Sequence, residues 1–237
     1  VLTTSPILSL RSVKVEGTER LTSEAVVDAL QPFTGEPLAR VSPDDVIGAL
    51  SDIALIQSIE TRLELPGTLV VTITERTPIG AIQQGGGFQV VDRAAVVLFE
   101  SETRPTEFPL IGVVPNPESR GFQAIGEALA VIPPEVLARI DRVSASSADT
   151  VAFSLRDSNH QVLWGSSESS GEKARVLPAA LRTAGDTTPQ LIDLSTPDTV
   201  VIRDVDNPLP TPQAPEVAPD EAELPDGESS ETNGDTP

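Results

Sequence analysis

The stretch Ile56-Gln-Ser-Ile-Glu-Thr-Arg-Leu-Glu-Leu-Pro-Gly-Thr-Leu-Val-Val-Thr-Ile-Thr-Glu-Arg-Thr-Pro78 decides the fold of the N-terminal third of this 237-residue chain. In its first half, apolar or small residues alternate with charged residues. A period of two is typical of a strand with one buried face, because successive side chains of a strand point to opposite faces. The residues predicted to share one face are Ile59, Thr61, Leu63 and Leu65.

A turn and a second strand complete this stretch. Pro66-Gly67 combines a residue of fixed φ with one that readily adopts a positive φ, and the pair is typical of a tight turn. Because Pro78 has no backbone N–H to donate, we expect the second strand to end near Thr77. The stretch therefore predicts a β-hairpin. One face of the second strand is predicted to carry Leu69, Val71 and Ile73, and the other Val70, Thr72 and Thr74.

The residues before the hairpin predict one strand and two helices. Arg11–Gly17 alternates apolar and charged residues and then breaks at a glycine, as an opening strand does. Thr22 or Ser23 is suited to cap the first helix, and Ser42 the second, with Asp45 at the capping-box position. The order β-α-α-β-β predicts a small α+β domain with both helices on one face of a three-stranded sheet. The predicted inward residues are Val26, Val27 and Leu30 in the first helix and Val46, Ile47 and Leu50 in the second.

Beyond Pro78 the pattern changes to short strands with two longer helices. Residues 88–99 are predicted to form two strands about the turn Asp92-Arg93-Ala94. The remainder predicts a mixed, mainly antiparallel β domain, followed by an acidic, Pro-rich segment at 204–237 that buries too little apolar surface to fold. The predicted helices are 119–131 and 171–183, and the predicted strands are 141–146, 150–156, 160–165, 190–195 and 199–203.

Composition excludes several classes of protein. The formal charge is −20, and ten of the 36 acidic residues follow Arg203, where there is no Lys or Arg. We expect no nucleic-acid partner, because the chain has no basic patch to displace the counterions of a phosphate backbone. The absence of cysteine excludes disulfides and thiolate chemistry. No apolar run reaches the roughly 20 residues that span a bilayer.

No pattern of side chains predicts a catalytic site. His160 is the only histidine, and we expect it to face solvent or to be hydrogen-bonded in a loop. Lys14 and Lys173, the other candidate bases, lie outside the sequence frames of serine nucleophiles. Gly85-Gly86-Gly87 lacks the Lys-Ser/Thr of a phosphate loop, so we expect a turn. The sequence therefore predicts a protein that is not an enzyme and holds no cofactor or metal.

The order of elements and two motifs resemble the FtsQ/DivIB family of cell-division proteins. The β-α-α-β-β order, opening with Val-Lys-Val-Glu-Gly at 13–17, looks like a POTRA domain. Leu65–Pro78 resembles the end of that family's POTRA domain, and 89–97 resembles its next hairpin, with Ala95 where the family usually has glycine. The resemblance implies a juxtamembrane segment at 1–9, a POTRA domain at 10–77, an FtsQ-type β domain at 78–203 and a disordered acidic tail at 204–237.

The resemblance also implies function and partners. It implies a single-pass membrane protein of the division septum, with its membrane helix upstream of Val1 and this part outside the cytoplasm. Partners would be the small FtsB-like and FtsL-like division proteins, and through them the septal peptidoglycan synthases. We expect partner binding by strand addition along an exposed last strand formed by Thr199, Val200, Val201, Ile202 and Arg203. We expect an interdomain hinge at Glu75, Arg76 and Pro78.

A second hypothesis is a POTRA-type substrate-binding module of a membrane secretion or assembly protein. Proteins of that class usually string several POTRA units together before a transmembrane barrel. This chain shows one unit, no internal repeat and none of the alternating segments of about 10 residues that build such barrels. The sequence therefore favours the cell-division hypothesis.

Overall fold

A computed structural model of the chain describes residues 9–205, which form two β-sheets with helices on them. The three-stranded sheet uses residues 12–75 and the nine-stranded sheet residues 78–204. The strands are β1 Ser12–Glu16, β2 Ile56–Glu64, β3 Thr68–Glu75, β4 Pro78–Gln84, β5 Gly87–Asp92, β6 Val97–Ser101, β7 Leu110–Ile111, β8 Ile140–Ser144, β9 Val151–Leu155, β10 Gln161–Gly165, β11 Gln190–Asp193 and β12 Val201–Asp204. The helices are α1 Ser23–Ala29, α2 Pro43–Leu50, α3 Arg120–Val131, α4 Pro134–Leu137 and α5 Ser170–Ala184, with short 3-10 helices at Gln31–Phe33 and Leu38–Arg40.

The small sheet confirms the predicted β-α-α-β-β order. Its strand order is β1-β3-β2, with β1 parallel and β2 antiparallel to the central β3. The predicted helix starts are also confirmed: Thr22 accepts from the backbone of Ala25, and Ser42 and Asp45 form a complete capping box. The hairpin strand ends at Glu75, two residues before the predicted Thr77, and β4 begins at Pro78.

Several apolar side chains of the small sheet and its helices are exposed, although the sequence pattern groups them with buried residues. Leu63 is 47% exposed and Leu65 is 77% exposed, because β2 is an edge strand and Leu65 lies in the turn beyond it. Ile47 is exposed because the buried stripe of α2 is Val46 and Leu50, one helical turn apart, and Ile47 is turned about 100° from Val46. Val27 in α1 is exposed for the same reason, since Val26 and Leu30 form the buried stripe of that helix.

Val70 was predicted on the polar face, and it is nevertheless buried. It occupies the central strand, directly between Lys14 on β1 and Arg62 on β2. Neighbours in register lie on the same face of a sheet, and the long aliphatic stems of Lys and Arg cover apolar surface while their charged ends reach water. Val70 is therefore buried on the polar face by two cationic side chains.

The nine-stranded sheet is mixed and mainly antiparallel, as predicted. Its order is β12-β11-β10-β9-β8-β7-β4-β5-β6, and only the pairs β11–β10, β8–β7 and β7–β4 are parallel. The helices α3 and α5 pack together and contribute buried residues to the main apolar core. A third helix, the one-turn α4, follows α3, and α5 continues through Pro178 as a single helix.

The turns of the large sheet follow the predicted chemistry. Gly85 and Gly86 both have positive φ, which is the backbone of the tight two-residue turn between β4 and β5. The turn between β5 and β6 is centred where we predicted it, and Ala95 adopts a φ of 60° there. This left-handed conformation favours glycine, which accounts for the residue usual in the family at this position.

Two predictions fall largely outside the described residues. The segment at 1–9 is described only at Ser9, and the acidic tail predicted for 204–237 only at Asp204 and Val205. Between residues 9 and 205, no helix is both long and apolar enough to cross a bilayer. The domain limits inferred from the resemblance stay a prediction, since strand pairing alone does not define them.

Candidate functional site: an open sheet edge and the junction between the sheets

The last strand of the described chain, β12, forms one edge of the nine-stranded sheet. It pairs antiparallel with β11 over Val201–Asp204, and no described strand pairs with its other side. The predicted edge strand was 199–203, so Thr199 and Val200 precede the observed strand and Asp204 extends it. A strand with one unpaired side presents a row of N–H and C=O groups that another extended chain can use.

The side chains of β12 alternate between the core and the open face. Ile202 lies opposite buried Ile192 and packs on the main core. Val201 is 45% exposed and Arg203 is exposed, both on the other face. A strand added beside β12 would therefore meet an apolar rim on one side and a valine and a cation on the other.

The loop that leads into β12 is anchored where it leaves β11. Asp193 accepts hydrogen bonds from the backbone N–H and the hydroxyl of Ser195, at 2.9 and 2.6 Å. The N–H of Leu194 donates to the carbonyl of Leu163 on β10 at 2.8 Å. These bonds hold β11 and the start of the loop, so the edge is a fixed template rather than a free chain end.

His160 holds the start of the same β11–β12 hairpin. Its ring is fully buried; Nδ1 accepts from the backbone N–H of Gln190 at 3.0 Å, and Nε2 bonds the carbonyl of Gly185. Because Nδ1 accepts, the proton lies on Nε2, which donates. The hydrogen-bonded alternative predicted for His160 is confirmed, and its ring joins the end of α5 to the start of β11.

Lys173 is buried on the inner side of α5. Its ammonium donates to the carbonyl oxygens of Trp164 and Ser166 at 2.9 and 2.8 Å. Burial lowers the pKa of Lys173, and Glu168 opposes that shift only in part. Ser170 accepts from the Trp164 indole at 3.1 Å. Two of the three candidate bases named from the sequence are thus engaged in bonds that join α5 to its neighbours.

Glu75, the last residue of β3, binds the loop between β1 and α1. Its carboxylate accepts from the backbone N–H groups of Glu19, Arg20 and Leu21, at 2.8, 3.0 and 2.9 Å. Burial alone would raise the pKa of Glu75, but these three donors and the Arg20 charge outweigh it and hold the pKa below its ordinary value. The carboxylate is thus part of the small sheet's own structure.

Arg76, the next residue, binds the large sheet. Its guanidinium contacts Asp92 at 2.8 Å, and Asp92 is buried. The other oxygen of Asp92 accepts from the N–H groups of Ala94 and Val96 and so organises the β5–β6 turn. Pro78 lies beside Asp92 in register. The predicted hinge residues Glu75, Arg76 and Pro78 therefore lie where one sheet gives way to the other, and their role as a hinge stays a prediction.

A further contact across this junction was not predicted. The Arg20 guanidinium lies over the ring of Phe108, 5.6 Å from its centre, and the loop that carries Arg20 is the loop held by Glu75. Arg20 and Phe108 are 88 residues apart, so no local period or motif could indicate their contact. Within residues 9–205, no three His, Cys, Asp or Glu side chains are grouped to hold a metal.

Comparison with known proteins assigns the family. The family model for the FtsQ-type POTRA domain matches residues 8–76, and that for the C-terminal part of cell division protein FtsQ/DivIB matches 80–195. Cell division protein FtsQ of Streptomyces bingchenggensis is 33% identical over 199 residues, which are 80% of this chain and 74% of that protein. The chain belongs to the FtsQ/DivIB family.

Other FtsQ proteins match over a smaller share of their own length. FtsQ of Mycobacteroides abscessus is 30% identical over 86% of this chain and 64% of that protein. FtsQ of Mycolicibacterium smegmatis is 30% identical over 84% of this chain and 58% of that protein. The solved extracytoplasmic domain of DivIB from Geobacillus stearothermophilus is 20% identical with a TM-score of 0.34, covering 45% of this chain and 91% of that one. FtsQ/DivIB membership favours the first hypothesis from the sequence. The β12 edge lies beyond both matched regions.

Proposed function

We propose that this FtsQ/DivIB chain is a non-enzymatic, extracytoplasmic scaffold of the division septum that binds partners by strand addition along β12. The partners proposed are FtsB-like and FtsL-like proteins, which would connect the scaffold to septal peptidoglycan synthases, and the anchor proposed is a membrane helix upstream of Val1. The observation that carries the proposal is that, among the described strands, β12 pairs with β11 alone.

The anchoring of the hairpin supports binding at this edge. An added strand gains backbone hydrogen bonds without ordering the template, because His160, Asp193 and Leu194 already hold the hairpin. The exposed Val201 offers apolar contact on the open face, and Arg203 offers a cation beside it. A partner strand with alternating apolar and acidic residues on that face would match both.

The positions of the candidate bases support the non-enzymatic part of the proposal. His160 and Lys173 are buried, and their polar atoms are used in bonds to the backbone. Lys14 lies on the outer face of the small sheet, paired with Glu16 at 2.6 Å. Within the described residues, the side-chain nitrogen atoms of these three residues form no hydrogen bond to a serine or threonine hydroxyl.

The junction supports a scaffold with a defined orientation. We propose that Glu75, Arg76 and Pro78 set the angle at which the large sheet, and with it β12, leaves the POTRA domain. Consecutive residues bind opposite sides of the junction, so the chain between the sheets has few free torsions. The domain limits proposed for this arrangement are 10–77 and 78–203.

The proposal is tested by substituting Val201. We expect Val201→Pro to weaken binding of an FtsB-like partner about ten-fold or more, since proline removes a backbone donor and its ring obstructs an adjacent strand. A milder variant, Val201→Asp, keeps the backbone and should weaken binding by placing a charge at the apolar contact. The measurement is the Kd of the purified partner, with far-UV circular dichroism to check the fold.

Val114→Asp is the matched control, because Val114 is also a valine with an exposed side chain and lies outside the sheet edges. It should leave the partner affinity within about two-fold, and its circular dichroism should equal that of the Val201 variants. Full affinity in both Val201 variants would overturn binding at β12.

A further inference from the structure

The nine-stranded sheet has a second open edge at β6. Val97–Ser101 pairs with β5 on one side, and no described strand pairs with the other. Eight strand spacings of about 4.8 Å separate β6 from β12, so the two edges lie about 38 Å apart along the sheet. A ligand at β6 therefore makes no use of the β12 template.

Aromatic side chains gather at this edge. The chain contains six phenylalanines, and Phe88, Phe99 and Phe108 all lie in this corner of the sheet. Phe99 lies opposite Val90 in register and its ring centre is 6.1 Å from that of Phe108. Yet Phe99 is 39% exposed, whereas Phe108 is buried. Phe99 and the partly buried Phe88 therefore give this unpaired edge a partly exposed aromatic surface.

The charge at β6 is negative. Glu100 follows Phe99 on the opposite face and accepts from the amide of Gln89 at 2.7 Å. Glu102 comes just after the strand and is exposed. Neither glutamate forms a salt bridge with another residue of the described segment. An open cleft of about 750 Å³ lies between the β4–β5 turn and the end of β6, and it offers room for added side chains.

We propose that β6 is a second strand-addition site, which accepts an extended protein segment with alternating apolar and basic residues. An apolar side chain of that segment would cover Phe99. On the other face, the residue next to it lies opposite Glu100 and would be Lys or Arg, and the next residue along that face would bring a second cation to Glu102. Backbone bonds to β6 supply affinity, and the alternation supplies specificity.

A second β6 strand does not fit the edge. Two β6 strands paired with each other would bring four glutamates together, and like charges across a strand pair are destabilising. Charged residues on an edge are a known means of preventing such self-pairing. The same charge that opposes a second β6 strand attracts a basic strand.

The test uses a fluorescent ten-residue peptide of alternating valine and lysine, with the full chain and its acidic tail present. We expect Phe99→Ser to weaken its binding about ten-fold, because the apolar contact is lost without a change of charge. Val114→Ser, at another exposed apolar side chain, should leave the Kd unchanged. Val201→Pro should also leave it unchanged, which separates this site from the β12 proposal.

A peptide of the same composition with all valines first and all lysines last reports attraction by charge alone, including attraction to the tail. It should bind about ten-fold more weakly than the alternating peptide. Hydrogen exchange gives a readout that needs no substitution: the alternating peptide should slow exchange at Val97–Ser101 and not at Val201–Asp204. Equal affinity for the two peptides, or protection at β12 alone, would overturn the proposal.

Discussion

Asp92 connects the junction between the sheets to the β5–β6 turn. One carboxylate oxygen of Asp92 accepts a hydrogen bond from the Arg76 guanidinium at 2.8 Å. The other accepts hydrogen bonds from two backbone N–H groups of the β5–β6 turn. The side chain of Asp92 is 5% exposed, so water replaces none of these partners easily. A buried carboxylate that loses its cation retains the cost of its burial.

We expect Arg76→Ala to lower the free energy of unfolding by about 1–3 kcal/mol, because it leaves one oxygen of Asp92 buried without its donor. The matched control is Arg175→Ala, which breaks an ion pair with Glu172 whose side chains are 78% and 56% exposed. That surface pair should be worth less than about 0.5 kcal/mol. The check is urea unfolding of both variants, and an equal loss in the two would contradict the role given to Asp92.

At this scale the sequence predicts position well and burial less well. It placed Glu75 and Arg76 near the end of the hairpin strand from the apolar alternation together with Pro78, which has no backbone N–H to donate. It could not indicate Asp92 as the partner of Arg76, since that contact depends on how two sheets meet. Nor could it place Val70 in the interior, because the burial comes from cationic neighbours on two other strands.

The helix α5 is joined to the large sheet by polar bonds as well as by its apolar stripe. Lys173 donates to one carbonyl oxygen near the end of β10 and to one just after it, and its ammonium lies 5.9 Å from the centre of the Trp164 ring. These contacts close the connection between β10 and α5. The helix in turn leads to β11, the only described support of the β12 edge.

Substitution of Lys173 should change how the free energy of unfolding depends on pH, because its amine is buried. Its pKa is lowered by burial from 10.5, so below that value the unfolded chain binds the proton more readily than the folded chain. The folded state therefore gains stability as pH rises through the folded pKa towards 10.5. We expect the wild type to gain stability relative to Lys173→Met over this interval, as measured by urea unfolding in steps of pH.

Lys14→Met serves as the control, since Lys14 is exposed and its pKa is raised by Glu16. The relative stability of the wild type against this variant should show no gain over the same interval. A flat or falling difference for Lys173→Met would contradict the burial of a charged amine. Independently of pH, we expect Lys173→Met to cost about 1–3 kcal/mol, because two buried carbonyl groups lose their donor.

Elements were the scale at which sequence reasoning worked best. Period-two runs and turn residues predicted β5, β6 and the strands from β8 to β11 within a few residues, because each signal is local. The order of strands in the sheet is set by long-range pairing, so the sequence could not show that β6 is an edge. The binding surface inferred at Phe99 was missed for that reason.

In the whole molecule, two neighbouring residues of the chain between the sheets each bind a different sheet. Glu75 binds the β1–α1 loop of the POTRA domain and Arg76 binds the large sheet. The loop held by Glu75 places Arg20 over Phe108, which closes the junction from the other side. The Glu75 carboxylate therefore holds the loop that takes part in the junction through Arg20.

We expect the contribution of Glu75 to be lost in acid. Its folded pKa lies below the ordinary 4.5, so its stabilisation is complete above 4.5 and falls as pH drops through the folded pKa. Relative to Glu75→Gln, the wild type should be more stable by about 1–3 kcal/mol at neutral pH, with a gap that narrows below 4.5. Urea unfolding across this range measures the gap. Glu60→Gln, at an exposed site on β2, should change stability by less than about 0.5 kcal/mol throughout.

The order of strands along the chain has a consequence for synthesis. The small sheet needs nothing beyond Glu75, so it can form while the remainder is still emerging, since domains generally fold in order from the N-terminus. The large sheet depends on residues from Pro78 to Asp204, and β12 is its last strand along the chain. The proposed docking strand β12 can therefore form only after the other strands of the large sheet have been synthesised. An incomplete chain does not present it to a partner.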